Sequence, residues 1–346
     1  MVVGNIMKAV IFESVGKVAY VDREEPRIEK PGDVKLKILA ASICGSDLHI
    51  TSVPQSHFAT PGVILGHECV AQIVEMGGPN PYFKVGDRVL VNPMIPCGDC
   101  DYCKNGQVNM CSSVKSVGED CDGIFAEYFV VDSRQLHKLG ADVPIDTAIF
   151  AEPLACAYNG FKRLQFLPGQ SVLILGAGPI GLLFARLFRA AGAGAVIVSE
   201  VAPFRLNFAK EYAGADAVVN SAAEDIGECI RRVTGRPLAD VVVDTVGTQI
   251  VPAIEHAAYE GKVLLFGIND SVTQTIRQYA ITRKELTIVS SYATFNTFPL
   301  VEKMLASHAI NLDNLLTHRM ELKDLGKGLD MLRHGEVLEL DGRAVM

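Results

Sequence analysis

The first part of the chain consists of short apolar runs separated by glycine and proline. Such runs are KAVIF, DVKLKILAAS, ECVAQIVEMG, DRVLVNP and FAEYFVV, all within about the first 150 residues. Their side chains alternate between apolar and polar or are rich in valine and isoleucine, and helical periodicity is scarce. The pattern predicts a mostly β domain built from small sheets or a partial barrel.

From about residue 170 the pattern changes to apolar strands that alternate with helices. The predicted strands are SVLILGAG, AVIVSE, DAVVN, ADVVVDTVG and GKVLLFGI, and the predicted helices are PIGLLFARLFRAAGA, PFRLNFAKEYAGA, GECIRRVTG and IVPAIEHAAYEG. Strands that are apolar on both faces predict a parallel sheet covered by helices. After about residue 295, two further helices, FPLVEKMLASHA and LKDLGKGLDMLRHG, are expected to return to the first domain.

Length and charge narrow the classes of function. A chain of 346 residues predicts two domains. The formal net charge of −8 argues against a nucleic-acid partner, because phosphate binding needs clustered lysine and arginine. The longest apolar stretch, SVLILGAGPIGLLFARLFRAAG, is interrupted by glycine and proline, so no membrane partner is predicted. The start of the chain lacks the features of a signal peptide, and we expect a cytoplasmic protein.

A dinucleotide-binding fingerprint lies between the first predicted strand and helix of the second domain. Gly176, Gly178 and Gly181 form G-x-G-x-x-G, and Glu200 ends the next strand nineteen residues later. The glycines permit a tight turn, a close approach to a pyrophosphate and close helix–strand packing. Glu200 would accept hydrogen bonds from ribose hydroxyls and repel a 2′-phosphate, which favours NAD over NADP; Arg205 keeps that choice open. A glycine turn without a dinucleotide is the alternative.

Four of the nine cysteines form a cluster with the spacing C-x-x-C-x-x-C-x7-C, at Cys97, Cys100, Cys103 and Cys111. In a reducing compartment this density predicts a metal site rather than disulfides. Four thiolates close a tetrahedral zinc site and leave no position for a substrate, so the predicted role is structural. A redox C-x-x-C pair is the alternative, although it would need two cysteines rather than four.

A second set of candidate metal ligands is scattered along the chain. Its members are Cys44, Ser46, Asp47 and His49 in CGSDLH, His67 and Glu68 in GHE, and Glu152 in EPL. A thiolate, an imidazole and a carboxylate can hold Zn²⁺ with one position open. Each residue also has an ordinary reading, as a buried cysteine, a core or surface histidine or the start of a helix. Composition and spacing do not decide between these readings.

The order CGSDLH, GHE, C-x-x-C-x-x-C-x7-C, EPLACA and GAGPIG resembles the zinc-dependent medium-chain dehydrogenase/reductase family, and within it the sorbitol (polyol) and threonine dehydrogenase groups. The resemblance extends over nearly the whole chain. It implies an α/β fold with a mostly-β GroES-like catalytic zinc-binding domain, residues 1–155 and 296–346, and a Rossmann NAD-binding domain with a doubly wound parallel sheet, residues 156–295. It also implies a homo-oligomer, either dimer or tetramer.

The resemblance assigns roles to individual residues. It implies two zinc ions per chain: a catalytic one bound by Cys44, His67, Glu68 and Glu152, and a structural one bound by Cys97, Cys100, Cys103 and Cys111. Ser46 and His49 would relay the proton of the substrate hydroxyl. The implied NAD contacts are Gly176, Gly178, Pro179, Ile180, Gly181, Glu200, Arg205, Val246, Phe266, Ile268 and Ser290.

The expected activity is the reversible oxidation of a secondary alcohol, such as a polyol, sugar alcohol or diol, to a ketone. L-Threonine 3-dehydrogenase-like activity is the alternative, and a non-catalytic zinc- and NAD-binding protein is the rival from another class. Ser291 lies where sorbitol dehydrogenases carry a substrate-binding arginine, so a sorbitol-like pose is in doubt. Phe58, Tyr292 and Phe295 line an apolar substrate pocket in one reading and are packing residues in the other.

Overall fold

The computed structural model describes residues 5–269, 271–334 and 340–343. The chain divides into two compact units. The first comprises Met1–Glu152, Thr294–Ser307 and Leu316–Met346, and the second comprises Pro153–Ala293 and His308–Leu315.

The first unit is dominated by strands. Its strands are β1 (Ile6–Ser14), β2 (Lys17–Glu24), β3 (Asp33–Ser42), β4 (Glu68–Met76), β5 (Arg88–Val91), β6 (Met94–Ile95), β7 (Lys115–Ser116), β8 (Tyr128–Asp132) and β9 (Leu136–Lys138). The second unit contains β10 (Ser171–Leu175), β11 (Ala195–Glu200), β12 (Ala217–Asn220), β13 (Ala239–Asp244), β14 (Ala257–Leu265) and β15 (Thr287–Ser290). The last strands, β16 (His318–Glu321) and β17 (Leu340–Arg343), return to the first unit.

Helices are short in the first part of the chain and longer in the second. They are α1 (Gly45–Ile50), α2 (Asp101–Lys104), α3 (Ile145–Ala148), α4 (Ala151–Leu164), α5 (Pro179–Ala190), α6 (Pro203–Tyr212), α7 (Ile226–Thr234), α8 (Ile250–His256), α9 (Gln278–Lys284), α10 (Phe298–Ala306) and α11 (Leu325–Arg333). Among the described residues, every helix is too short or too polar to cross a membrane.

In the first unit, a sheet has the strand order β16-β17-β3-β4-β5-β9. β8 lies outside this order and pairs with β3. Along β3 the side chains alternate between buried and half-buried positions, as the hydrophobic pattern predicts, and its last three residues are all buried. β3 and β4 pair antiparallel, so that Ser42 lies opposite Glu68. This pairing brings the segment after β3 close to the segment before β4.

In the second unit, six parallel strands form a sheet in the order β12-β11-β10-β13-β14-β15. The five residues of β10 are all buried, which explains the unbroken apolar run in the sequence. In chain order this arrangement reads 3-2-1-4-5-6, the doubly wound order in which a ligand binds at the carboxyl ends where the order reverses. The predicted parallel sheet is confirmed.

One predicted helix ends earlier than the sequence indicates. The run IVPAIEHAAYEG was assigned to a helix, but α8 ends at His256 and β14 begins at Ala257. Lys284 Nζ donates hydrogen bonds to the carbonyl oxygens of Ile254, Glu255 and Ala257 at 2.7–2.9 Å. A lysine from a distant segment therefore caps the carboxyl end of α8, which local periodicity does not reveal.

The sheet of the first unit contains a half-buried titratable group. His137 in β9 stacks on Phe298 of α10, with ring centroids 4.8 Å apart. Burial lowers the pKa of His137 to about 4. Between pH 6.5 and 4 the unfolded chain takes up a proton at this position and the folded chain does not, so the free energy of unfolding falls as the pH falls through this range.

We expect His137→Phe, which keeps the aromatic contact and removes the titrating group, to flatten this loss of stability between pH 6.5 and 4. Denaturant unfolding across the pH series measures the effect. His318→Phe, at an exposed histidine of β16 in the same unit, is the control and should leave the pH profile unchanged. Equal pH dependence in wild type and His137→Phe would contradict the assignment.

Candidate active site

Three of the predicted zinc ligands lie together. The ligand atoms of Cys44, His67 and Glu68 are all within 4.8 Å of one another. Cys44 is the N-cap of α1, two residues after the end of β3; Glu68 is the first residue of β4, and His67 immediately precedes it. The antiparallel pairing of β3 with β4 thus assembles residues that are more than twenty positions apart in the sequence.

A fourth residue, Asp47, supports this group from α1. Its Oδ2 accepts a hydrogen bond from the backbone N–H of Cys44 at 2.9 Å, and the residue is only 1% exposed. Its Oδ1 is buried without a hydrogen-bond partner among the described residues. The sequence analysis named Asp47 without a role. The spacing C-x-x-D, which brings the carboxylate back to the N-cap amide, is the signal for it.

Electrostatics at this group favours a cation. Burial, followed by the nearby Glu68, raises the pKa of Cys44 to about 11, and burial raises the pKa of Asp47 to about 6. Burial alone lowers the pKa of His67, but the adjacent Cys44, Asp47 and Glu68 outweigh this and raise it. One imidazole therefore lies beside a thiol and two carboxyl groups. A divalent cation offsets the charge of the carboxylates and of the thiolate that forms when the thiol binds an ion, and the sulfur, nitrogen and oxygen donors suit Zn²⁺.

The other predicted residues of this site occupy different positions. Glu152 is buried in the first turn of α4 and is not part of the group of three ligands. Ser46 Oγ is buried and has no hydrogen-bond partner within the described part of the chain. His49 Nδ1 and Ser56 Oγ are hydrogen-bonded at 2.9 Å. Ser46 and His49 therefore make no direct hydrogen bond with each other.

The four clustered cysteines form a second group, in which all four sulfur atoms lie within 4.8 Å of one another. Backbone N–H groups point at these sulfurs. Cys97 Sγ accepts from the amides of Asp99 and Cys100, both at 3.4 Å, and Cys111 Sγ accepts from the amide of Cys97 at 3.3 Å. Amides directed at sulfur stabilise the thiolate form that a metal requires.

Backbone amides also lower the pKa values of two of these thiols. The backbone N–H groups of Cys103 and Ser112 lower the pKa of Cys100 to about 6. The amides of Cys97 and Ser113 lower the pKa of Cys111. Burial raises the pKa of a third thiol, Cys103, to about 12. The donor set of four sulfurs fits a closed tetrahedral zinc site.

The glycine-rich loop joins β10 to α5. Gly176 has φ +104°, and its N–H donates to the carbonyl oxygen of Ser199 at 2.8 Å. A Cβ on Gly181 would lie 2.0 Å from the carbonyl oxygen of Gly176, so close packing requires the third glycine. A Cβ on Gly178 would meet no heavy atom of the described residues within 4 Å. The second glycine thus faces open space at the start of α5, where Pro179 and Ile180 follow in the first turn.

Glu200 ends β11 and holds the loop in place. Its Oε2 accepts a hydrogen bond from the N–H of Ala177 at 2.9 Å, and its Oε1 accepts from the N–H groups of Val201 and Ala202. Arg205 follows in α6, with its Nε buried and without a hydrogen-bond partner in the described residues. An acid therefore contacts the glycine-rich loop, and an arginine follows it in the next helix.

The remaining predicted cofactor contacts lie at or just after the carboxyl ends of parallel strands. Val246 follows β13, Phe266 and Ile268 follow β14, and Ser290 is the last residue of β15. Asp244, at the end of β13, is not among the residues predicted from the sequence. Its buried carboxylate accepts from the amides of Val246, Gly247 and Gln249 at 2.8–2.9 Å and so shapes the loop. An acid that ends an apolar strand just before glycine is the signal for it.

The predicted substrate-pocket residues differ in exposure. Phe58 is 65% and Tyr292 49% exposed, whereas Ser291 Oγ is buried with no hydrogen-bond partner among the described residues. Phe295 follows the buried Thr294, whose hydroxyl donates to Asn92 Oδ1 at 3.3 Å. The exposed aromatic rings at positions 58 and 292 are not core residues.

Sequence families match both parts of the chain. Residues 30–141 match the alcohol dehydrogenase GroES-like domain, and residues 179–307 match the zinc-binding dehydrogenase domain. The fold and the site thus define a zinc-binding dehydrogenase. The chain belongs to the zinc-dependent medium-chain dehydrogenase family, and the predicted family and fold class are confirmed.

Named relatives come from several groups of this family. L-Threonine 3-dehydrogenase of Pyrococcus furiosus is 36% identical over 317 residues, which cover 90% of this chain and 88% of that protein. Sorbitol dehydrogenase of Bacillus subtilis is 30% identical, and the aligned residues cover 92% of this chain and 91% of that protein.

Two solved structures are similar over nearly the whole chain. A short chain alcohol dehydrogenase (rspB) from E. coli CFT073, complexed with NADH, has a TM-score of 0.89 and 29% identity and covers 98% of this chain and 100% of its own. A putative zinc-binding dehydrogenase from Sinorhizobium meliloti, bound to NADP, has a TM-score of 0.90 and 30% identity and covers 98% and 99%. Both bind a nicotinamide dinucleotide.

We expect Gly181→Ala and Gly178→Ala to differ in stability. The Gly181 substitution places a Cβ 2.0 Å from the Gly176 carbonyl oxygen and should cost about 1–3 kcal/mol or more. The Gly178 substitution enters open space at φ −70° and should leave the free energy of unfolding nearly unchanged. Thermal unfolding of the cofactor-free protein measures both, and equal losses of stability would contradict this geometry.

Proposed function

We propose that the protein catalyses the reversible, zinc-dependent oxidation of a secondary alcohol to a ketone, with transfer of a hydride to NAD. The observation that carries this proposal is the group of Cys44, His67 and Glu68, whose ligand atoms lie within 4.8 Å of one another. A non-catalytic zinc protein would need only the four-cysteine group. The second, mixed-donor group has the composition of a site that keeps a position open for substrate.

In this proposal Cys44, His67 and Glu68 hold the zinc ion, and Glu152 supplies a further carboxylate. A bound Zn²⁺ ion supplies a Lewis acid for the substrate oxygen, and NAD supplies the hydride acceptor. Ser46 would pass the proton of the substrate hydroxyl outward: its buried Oγ, which makes no other hydrogen bond in the described chain, accepts that proton as its own hydroxyl proton is released. His49 is proposed as the next group of the relay, and its hydrogen bond to Ser56 orients the ring.

NAD is the proposed cofactor because Glu200 lies at the end of β11. Its carboxylate is held by three backbone amides and would repel a 2′-phosphate at the ribose. Arg205 is proposed to contact the adenine. The proposed contacts at the other end of the dinucleotide are Val246, Phe266, Ile268 and Ser290.

The proposed substrate is a polyol, sugar alcohol or diol. L-Threonine is the second candidate, favoured by the 36% identity to a threonine dehydrogenase. Its 3-hydroxyl is a secondary alcohol, but its ammonium and carboxylate groups need partners. The imidazole of His57 and the carboxylate of Glu119, 3.1 Å apart, are polar groups in the same unit, and Glu119 interacts electrostatically with His67.

Further assignments complete the proposal. Residues 1–155 and 296–346 form the catalytic domain, residues 156–295 bind NAD, and the four-cysteine group binds a structural zinc ion. We propose a cytoplasmic homo-oligomer, a dimer or tetramer. It is supported by β15, an edge strand, and by α9, which has no buried residue.

The test of function is absorbance at 340 nm with NAD or NADP and a panel of polyols, diols and L-threonine. We expect an NAD-linked rate on at least one secondary alcohol. Cys44→Ala and His67→Ala should each lower turnover by several orders of magnitude while NAD binding, followed by fluorescence titration, is retained. Near-native turnover in zinc-depleted Cys44→Ala, or no rate with any alcohol in the zinc-loaded protein, would overturn the proposal.

A different outcome is expected at the four-cysteine group. Cys100→Ser should lower the zinc content by about one equivalent per chain and lower the melting temperature, because metal binding supplies folding free energy to this loop. Turnover should persist in the protein that remains folded. Cys121→Ser, at a half-buried cysteine outside the group, is the matched control for zinc content. If Cys100→Ser abolished catalysis in folded, assembled protein, the roles of the two sites would be reversed.

A further inference from the structure

We propose that Ser42 is a positioning residue of the metal site, which fixes the carboxylate of Glu68 so that one oxygen is held by the protein and the other is presented to the ion. The inference rests on the proposed function, because it takes Glu68 as a ligand. The carrying observation is a hydrogen bond from Ser42 Oγ to Glu68 Oε2 at 2.5 Å.

Backbone pairing places the two side chains together. Ser42 is the last residue of β3 and Glu68 the first residue of β4, and they are directly opposite in the antiparallel register. Directly opposite residues have Cβ atoms about 4.5–5.5 Å apart, which is within reach of a serine hydroxyl. The hydrogen bond is therefore fixed by the sheet and not by a flexible loop.

Burial makes this hydrogen bond important for the carboxylate. Ser42 is 1% and Glu68 3% exposed, so water does not solvate the Glu68 carboxylate. The Cys44 sulfur, a further donor of the same candidate site, lies within 4.8 Å of a Glu68 carboxylate oxygen. A hydroxyl that donates to a carboxylate forms a strong, charge-assisted hydrogen bond. Because serine is neutral, it stabilises the ionised carboxylate without competing with a bound cation.

Glu68 and Asp47 are each held through one oxygen by a different donor. Asp47 Oδ2 accepts from the backbone amide of Cys44, and Glu68 Oε2 accepts from the hydroxyl of Ser42. Glu68 Oε1 is then the oxygen left for a ligand. Partners that orient a ligating group in this way contribute about 10–100-fold to metal affinity.

A purely structural role for Ser42 makes a different prediction, and the chain contains a matched control. Ser171 is 4% exposed, and its Oγ donates to Asp240 Oδ2 at 2.7 Å in the second unit. The same bond type therefore occurs in the other unit, outside both groups of candidate metal ligands. If Ser42 only stabilised the fold, Ser42→Ala and Ser171→Ala would have equivalent effects on metal binding.

The experiment measures metal binding to the whole protein by competition with a chromophoric chelator, together with the visible spectrum of the cobalt-substituted protein. The binding phase that is lost in Cys44→Ala is the one tested. We expect Ser42→Ala to weaken this phase about 10–100-fold and to shift its cobalt bands. Ser42→Thr, which keeps the hydroxyl, should restore most of the affinity. Ser171→Ala should leave the affinity and the spectrum unchanged.

A double-mutant cycle gives the decisive comparison. In a Glu68→Gln background, Ser42→Ala should change affinity by less than about twofold, because the carboxylate it positions is absent. Unchanged affinity and spectrum in Ser42→Ala, together with loss of the phase in His67→Ala, would overturn this inference and leave the proposed function intact. Retention of the phase in both Cys44→Ala and His67→Ala would instead overturn the proposed metal site itself.

Discussion

The antiparallel pairing of β3 with β4 is the interaction on which the candidate site depends. Its register places Ser42 opposite Glu68. Cys44, which follows β3, and His67, which precedes β4, are therefore brought close together. A shift of one residue would turn every side chain of β4 to the opposite face. The buried, alternating side chains of β3 oppose such a shift, because it would expose the hydrophobic core. Core packing and site geometry are thus fixed by the same ladder.

The hydrophobic pattern predicts the two architectures well, because each strand and most helices carry their own periodicity. The run DVKLKILAAS corresponds to all of β3, and AVIVSE to all of β11. Prediction fails where a distant residue decides. The helix predicted through Gly261 stops at His256, where Lys284 caps it from another segment.

The residues of the candidate site likewise include some whose role the sequence indicates and some whose role it does not. The four cysteines are close in sequence, so their spacing alone indicates a common site, and the structure brings their sulfurs together. Cys44 and His67 are far apart, and single residues of these types usually have ordinary roles, so only the resemblance to a family connected them. Ser42 and Asp244 escaped notice for a related reason. Their importance comes from which carboxylate or amide lies opposite them, and sequence position does not encode that information.

Glu200 couples two properties that protein engineers usually treat as separate. Its carboxylate accepts hydrogen bonds from the amides of Ala177, Val201 and Ala202, and it is also the acid that would meet the ribose of a dinucleotide. A smaller or basic residue introduced to accommodate a 2′-phosphate would leave these three donors without their acceptor. A redesign of the cofactor preference therefore has two tasks at this position. It must remove the carboxylate that repels a 2′-phosphate, and it must supply another hydrogen-bond acceptor for the amides, for example a hydroxyl or side-chain amide that reaches the Ala177 amide.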